Sequence, residues 1–197
     1  MSQMTRPDIS TAVNMLGRRT AKPSHENLAT AKQLCQYIAS TKTEGLTLIK
    51  GGEKKIKVYV DASYGGEGAR AQTGTIVLFH NSPILWNSRR QEVVSVSITE
   101  AEYIACAEAA KDARWIGQFL EEILPTRKFQ PTIYTDNEAV LKLTKTQTFH
   151  RRTRHISHRF HFIRELVDNM HIKVQGIPGK HNPADLLTKL IPMSSVG

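Results

Sequence analysis

Cysteine is scarce in this chain. Cys35 and Cys106 are its only two, and their spacing matches neither a disulfide framework nor a zinc ribbon. Both fall among small and apolar residues at helix-like positions and are expected to be buried free thiols in a reducing compartment. The sequence lacks an apolar run long enough to cross a bilayer, so no membrane partner is expected. Its first ten residues, MSQMTRPDIS, lack the charged head and apolar stretch of a secretory signal, which predicts an intracellular protein. No internal repeat or low-complexity tract stands out. Negative charge is also in deficit: 18 Asp and Glu face 27 Lys and Arg, a formal net charge of +9. With 40% hydrophobic residues, that surplus fits a packed domain with a polyanionic partner, most simply nucleic acid.

What is present falls into two parts. In residues 1–52, RPDISTAVNMLGRRT opens on Pro7 and Asp8 and carries Ile9, Val13 and Leu16 on one helical face. PSHENLATAKQLCQYIAST follows, with Ser24 as N-cap and Asn27 where a capping box would close. LTLIK (46–50) reads as a short strand, and Gly51-Gly52 marks a boundary. From residue 53 the pattern turns to strands at 56–60, 75–79 and 84–88, joined by short polar turns as an antiparallel meander, with a glycine-containing loop over 65–74. A long helix is predicted over 99–122, a strand over 131–136, a short helix in NEAVLKLT and another over 155–170. A strand over 171–177 and a last helix in PADLLTKLI complete the chain. The expected fold is α/β: a five-stranded mixed sheet, its first three strands antiparallel, flanked by helices and carrying a small N-terminal helical appendage over 1–52.

Four acidic residues occupy contexts where acids are costly or conspicuous. Asp61 ends KIKVYVD and Asp136 ends PTIYTD, both after apolar strands. Glu102 lies in SITEAEYIA and Asp185 in NPADLLTK. An ionised carboxylate at the end of a buried strand is expensive unless paired. Taken singly, each acid is a solvated loop end. Converging at one sheet edge, the four would bind hard divalent cations, which prefer oxygen ligands, and would support metal-assisted phosphodiester chemistry. Glu100 competes with Glu102, but two residues apart on a helix they point in different directions, so both are not expected to be ligands.

The densest basic stretch is HRRTRHISHRFHFIR (150–164). Its arginines, Arg151, Arg152 and Arg154 foremost, are expected to meet a phosphate backbone. The competing account is a solvated face, or pairing with Glu138 and Glu165. Its four histidines lack a cysteine partner and a shared helical face, which argues against zinc. Trp86 and Trp115 are expected in the core or in helix packing rather than as base-stacking platforms.

TRPDI (5–9), SITEAEYIA (97–105), TDNEAVLKL (135–143), HRRTRHI (150–156), FIRE (162–165) and ADLLTK (184–189) together resemble the ribonuclease H region of copia-type LTR retrotransposon Pol polyproteins. The resemblance covers nearly the whole chain and implies a ribonuclease H-like fold. Residues 1–52 resemble the connection segment that ends a reverse transcriptase; the polymerase carboxylates themselves are absent. The resemblance assigns catalysis and metal binding to Asp61, Glu102, Asp136 and Asp185, preferring Glu102 because Tyr103-Ile104-Ala105 follows it. The implied cofactor is a pair of Mg²⁺ ions, with Mn²⁺ able to substitute. Ser63, Arg89, Arg90, Gln91 and Asn137 are the expected substrate contacts beside Arg151, Arg152 and Arg154, with His181 in proton transfer. The implied activity is endonucleolytic cleavage of the RNA strand of an RNA–DNA hybrid, leaving 3′-hydroxyl and 5′-phosphate ends. The implied partners are that hybrid and the reverse transcriptase portion of the same polyprotein, and the implied setting is a cytoplasmic virus-like particle. Two rivals stand beside it. One is a catalytically silent fragment that binds nucleic acid or docks on a polymerase. The other is a transposase or integrase nuclease, which would usually end on a glutamate rather than Asp185 and would lack TEAEYIA and HRRTRHI.

Overall fold

Alternation of apolar residues builds the first strand. In β1 (Ile56–Ser63), Ile56, Val58 and Val60 are essentially inaccessible on one face. β1 pairs antiparallel with β2 (Gln72–Phe79), and β2 pairs antiparallel with β3 (Ser82–Arg90), with a bulge between Val77 and Leu78. The computed structural model describes residues 1–66, 68–145 and 157–189. Beyond β3 comes α3 (Ile98–Ile123), preceded in the chain by α1 (Ser10–Gly17) and α2 (His25–Ser40). β4 (Thr132–Thr135), α4 (Glu138–Lys145), α5 (Ser157–Asp168) and β5 (Lys173–Gly176) follow. β4 pairs parallel with β1, and β5 parallel with β4, giving the sheet order β3-β2-β1-β4-β5. This is the mixed five-stranded sheet that the sequence predicts.

Small residues let α3 lie close against the sheet: Ala101, Ala105, Ala109 and Ala113 are fully buried. α5 packs on α3, with Phe160 stacked over Tyr103 at 6.1 Å between ring centroids. A 3-10 turn at Pro183–Leu187 covers the other face of β1 and β2.

The capping box at Ser24 and Asn27 forms as expected and starts α2. Arg6 ties the far end of α2 to the 3-10 turn Pro7–Ile9, donating to Asp8 at 2.7 Å and to Thr41 Oγ1 at 2.7 Å. α1 lies against β3 and the Pro183–Leu187 turn. There Thr11 donates to the Leu186 carbonyl at 3.0 Å and Ser88 to the Leu187 carbonyl at 2.7 Å.

Several expectations are corrected. LTLIK forms no strand; its link to the sheet is the Ile49 N–H donating to Ser82 Oγ at 2.7 Å. β1 continues past Asp61 to Ser63, and β2 starts at Gln72, inside the stretch read as a glycine loop. The last helix is a short 3-10 turn at Pro183–Leu187. Cys35 is exposed and Cys106 buried. Trp86 is buried, its indole N–H donating to the Ser2 carbonyl at 2.7 Å, whereas Trp115 is exposed and stacks on Phe119.

Candidate active site

Sheet register brings the first two carboxylates together. Tyr59 pairs with Tyr134 in the parallel ladder, and their rings stack at 5.0 Å. Asp61 and Asp136 each lie two residues further on, so they stand side by side on one face of neighbouring strands. The third comes from the start of α3. Ser97 caps that helix, accepting from the Glu100 N–H at 3.1 Å, and the Glu100 carboxylate accepts from the Val96 N–H at 2.6 Å. Glu100 is thereby engaged in capping, and Glu102, pointing elsewhere, reaches the two aspartates. One carboxylate oxygen from each of Asp61, Glu102 and Asp136 can be chosen so that all lie within 4.8 Å of one another. Asp61 and Glu102 are buried and Asp136 is exposed.

The electrostatics follow from that crowding. Burial, then the charges of Asp61 and Asp136, pushes Glu102 up to about 8, against the Ala62 backbone N–H and Lys189. Burial also raises Asp61; the Thr188 hydroxyl opposes this, and Asp185 and Asp136 add to it. Three carboxylates this close cannot all ionise cheaply without a countercharge. Glu102 Oε2 is buried with no hydrogen-bond partner among the described residues, an omission that a bound cation would explain. An all-oxygen donor set with one unspent buried oxygen suits a hard divalent ion.

Asp185 sits outside the group of three. It belongs to the Pro183–Leu187 turn, and its carboxylate is paired with Lys189. It remains close enough for its charge to raise Asp61. The turn is fastened to β1 by Asn182, whose Nδ2 donates to the Val60 carbonyl at 2.9 Å and whose Oδ1 accepts from the Ala184 N–H. Buried Thr188 donates to Asp61 Oδ2. Gly74, opposite Asp61, leaves room for the turn: a Cβ there would stand 2.7 Å from the Ala184 carbonyl oxygen.

Comparison with known proteins decides the lineage. No family model matches. The chain is 37% identical over 190 residues to the retrovirus-related Pol polyprotein from transposon TNT 1-94 of Nicotiana tabacum, covering 95% of this chain and 14% of that one. It is 36% identical over 187 residues to the Pol polyprotein from transposon RE1 of Arabidopsis thaliana, covering 94% and 13%. The chain belongs to the copia-type retrotransposon Pol polyproteins. It spans about one seventh of the length of these Pol relatives. Among solved structures, LC11-RNase H1 isolated from compost superposes with a TM-score of 0.55 at 19% identity, covering 68% of this chain and 93% of that one. RNase H1 from the archaeon Halobacterium salinarum gives 0.52 at 18% identity, with the same coverage. LC11-RNase H1 has also been solved in complex with an RNA/DNA hybrid, and that structure gives a TM-score of 0.51. These likenesses show that the Pol chain has the ribonuclease H fold.

The other sequence-predicted residues scatter around this centre. Ser63 pairs with Gln72 at the end of β1, two positions beyond Asp61. Arg89 is ion-paired with Glu108 on α3, and Arg90 is exposed at the end of β3. Gln91 is largely buried, its Nε2 donating to Thr73 Oγ1 at 3.0 Å and the Ala101 carbonyl at 2.8 Å and so tying β2 to α3, and it lines a small cavity with Arg89 and Arg90. Asn137 Oδ1 accepts from the Ala139 and Val140 N–H groups, capping α4. His181 is exposed in the 3-10 turn Gly179–His181. Arg151, Arg152 and Arg154 lie outside the described residues. Sequence reasoning missed Asn182, Thr188 and Lys189. Their signal was the Asn before Pro183 and a hydroxyl three residues past Asp185, neither of which shows in hydrophobic periodicity.

Proposed function

We propose that this chain is a metal-dependent endonuclease that hydrolyses the RNA strand of RNA–DNA hybrids during retroelement reverse transcription. The observation that carries this is the convergence of Asp61, Glu102 and Asp136, with one buried oxygen of Glu102 left without a partner among the described residues. The ribonuclease H fold, a fold neighbour solved with an RNA/DNA hybrid and the net charge of +9 support it.

Asp61, Glu102 and Asp136 would hold the cation, and Asp185 would join them on leaving Lys189. Two Mg²⁺ ions, with Mn²⁺ as substitute, would supply Lewis acidity, an activated water and charge neutralisation. Thr188 holds the Asp61 carboxylate in place. Burial and the neighbouring aspartates push Glu102 up to about 8, so its ionised form would be the one favoured by the countercharge of a bound cation. His181 lies on the same loop as the Pro183–Leu187 turn, where it can serve proton transfer. Ser63, Arg90 and Asn137 flank the carboxylates as substrate contacts, with Arg89, Arg151, Arg152 and Arg154 as further grip on the phosphates. Residues 1–52 act as the connection to the reverse transcriptase of the same polyprotein. No helix among the described residues is long and apolar enough to cross a membrane. The setting of an active element is a cytoplasmic virus-like particle.

The test is cleavage of an end-labelled RNA–DNA hybrid by the purified chain in Mg²⁺, beside Asp61→Asn and Asp136→Asn. Wild type should cut, and each variant should lose at least ~100-fold in rate, the scale expected when a charge-stabilising group is removed from a reaction centre. Equal cleavage by all three would refute the assignment.

A further inference from the structure

Between the N-terminal helices and the nuclease sheet lies a cavity of about 730 Å³ lined by four arginines: Arg18 and Arg19 just after α1, Arg70 in the β1–β2 loop, and Arg90 at the end of β3. Among the described residues no carboxylate lines it, and no described ion pair uses Arg19, Arg70 or Arg90. Those three are exposed. Arg18 is held in place, donating to Asn14 Oδ1 and Gln72 Oε1. Burial, then repulsion from Arg90 and Arg19, depresses its pKa. Four cations gathered with no carboxylate among the described lining residues define a site for an anion.

The strand register places this site relative to the carboxylates. Asp61, Gly74 and Ser88 form one cross-strand row, and Ser63, Gln72 and Arg90 form a row two residues further on. Rows two residues apart share a face, so Arg90 lies on the same side of the sheet as Asp61. Two strand spacings sideways and two residues along put their Cα atoms roughly 12 Å apart. The Pro183–Leu187 turn sits over Gly74 and Ser88 between them, so a polymer that brings one phosphate to Asp61 would pass round that turn to lay another in the cavity a few nucleotides away.

We propose that this arginine cavity, built jointly by residues 18–19 of the N-terminal segment and residues 70 and 90 of the nuclease domain, seats the sugar–phosphate backbone of a nucleic-acid strand running from the carboxylate cluster. The proposal rests on reading that cluster as a nucleic-acid site and adds a second, sequence-independent grip. Guanidinium forks match phosphate oxygens in pairs, and each phosphate neutralised releases counterions, so the grip is read in salt dependence. It also gives the N-terminal segment a task in substrate binding.

The experiment titrates the full chain into a fluorescein-labelled RNA–DNA hybrid in EDTA, where nothing is cut, across a range of KCl. For a hybrid of about 20 base pairs, Arg19→Gln/Arg70→Gln should flatten the plot of log K against log salt by roughly 1.4–1.8 units, two phosphate contacts' worth. Arg19→Lys/Arg70→Lys should keep most of the slope, and all three proteins should melt at the same temperature. An unchanged slope in the Gln variant overturns the proposal and leaves the cavity to an acidic protein segment. Failure of the wild type to bind also overturns it. A wild type that binds with the full slope, loses it in the Gln variant and yet cuts no hybrid in Mg²⁺ upholds the cavity while refuting the nuclease reading.

Discussion

Replacing Gly74 with alanine disturbs the candidate site without touching any of its acids. The added methyl would stand 2.7 Å from the Ala184 carbonyl oxygen and 2.8 Å from both Leu187 Cβ and Thr188 Cγ2. Two of these neighbours are backbone or Cβ atoms, which cannot swing aside. To reach ordinary contact at about 3.4 Å, the Pro183–Leu187 turn must retreat by roughly 0.7 Å. That retreat draws the Thr188 hydroxyl off Asp61 and moves Asp185 with it. Overpacking of this kind costs about 1–3 kcal/mol. A misplacement of ~1 Å can cost ~100-fold in rate, so roughly 10-fold is expected here. Gly176→Ala is the control, since its methyl meets the far end of the Leu141 side chain. The assays are the urea midpoint and single-turnover cleavage of a hybrid under saturating Mg²⁺. Gly74→Ala should lose both stability and rate, and Gly176→Ala should lose little of either. A Gly74→Ala protein with wild-type stability and cleavage would refute the idea that close approach of the turn positions the site.

Two further outcomes are expected. Cys106 is fully buried and its thiol is pushed up to about 12 by burial and by Glu102, while Cys35 is exposed. Native protein should take up maleimide at Cys35 alone by mass spectrometry, and native labelling at Cys106 would contradict the packing of α3. Asp8 gives a pH signature. Burial acts to raise its pKa, but hydrogen bonds from Arg6 and Tyr37 outweigh this and hold it below the ordinary 3.8. A depressed acid contributes stability above its unfolded pKa and loses it as pH falls through the folded value. The stability gap between wild type and Asp8→Asn should therefore be full at neutral pH and close in acid, below 3.8. A gap that widens in acid on urea titration would show the sign to be wrong.

The sheet was legible because its strands carry the alternation that a one-sided core demands. Ile56, Val58 and Val60 marked β1, and the apolar spacing from Ala101 to Leu120 marked α3. Strand ends were less legible. Gly74 looks like loop punctuation, yet it lies inside β2, where its missing side chain admits a neighbouring turn. LTLIK has strand composition, but it meets the edge strand β3 through the Ser82 side chain rather than through a backbone ladder. The choice between Glu100 and Glu102 could be narrowed by helix geometry, and the structure supplies the complement: Glu100 is occupied at the helix start. Asp185 pairs with Lys189, four residues on, while its charge still reaches Asp61. Charge pairing within a turn leaves no periodic trace. The inward bonds of Gln91 were not legible either, because its neighbours Arg89 and Arg90 are polar and exposed while its own amide Nε2 is turned between β2 and α3.

The hydroxyl that steadies Asp61 comes from 127 positions downstream, and the turn bearing it is held by Thr11, 175 positions upstream of its acceptor. Contacts of such long range form late, because the loop they close is costly in entropy before any reward arrives. At about 5–20 residues per second, a ribosome needs on the order of ten seconds to pass from the first of these partners to the last. Until then the nascent chain can carry two aspartates on the sheet and a glutamate on α3 but cannot lock them, so the carboxylate site sets only after the whole span from Thr11 to Thr188 has emerged and folded together.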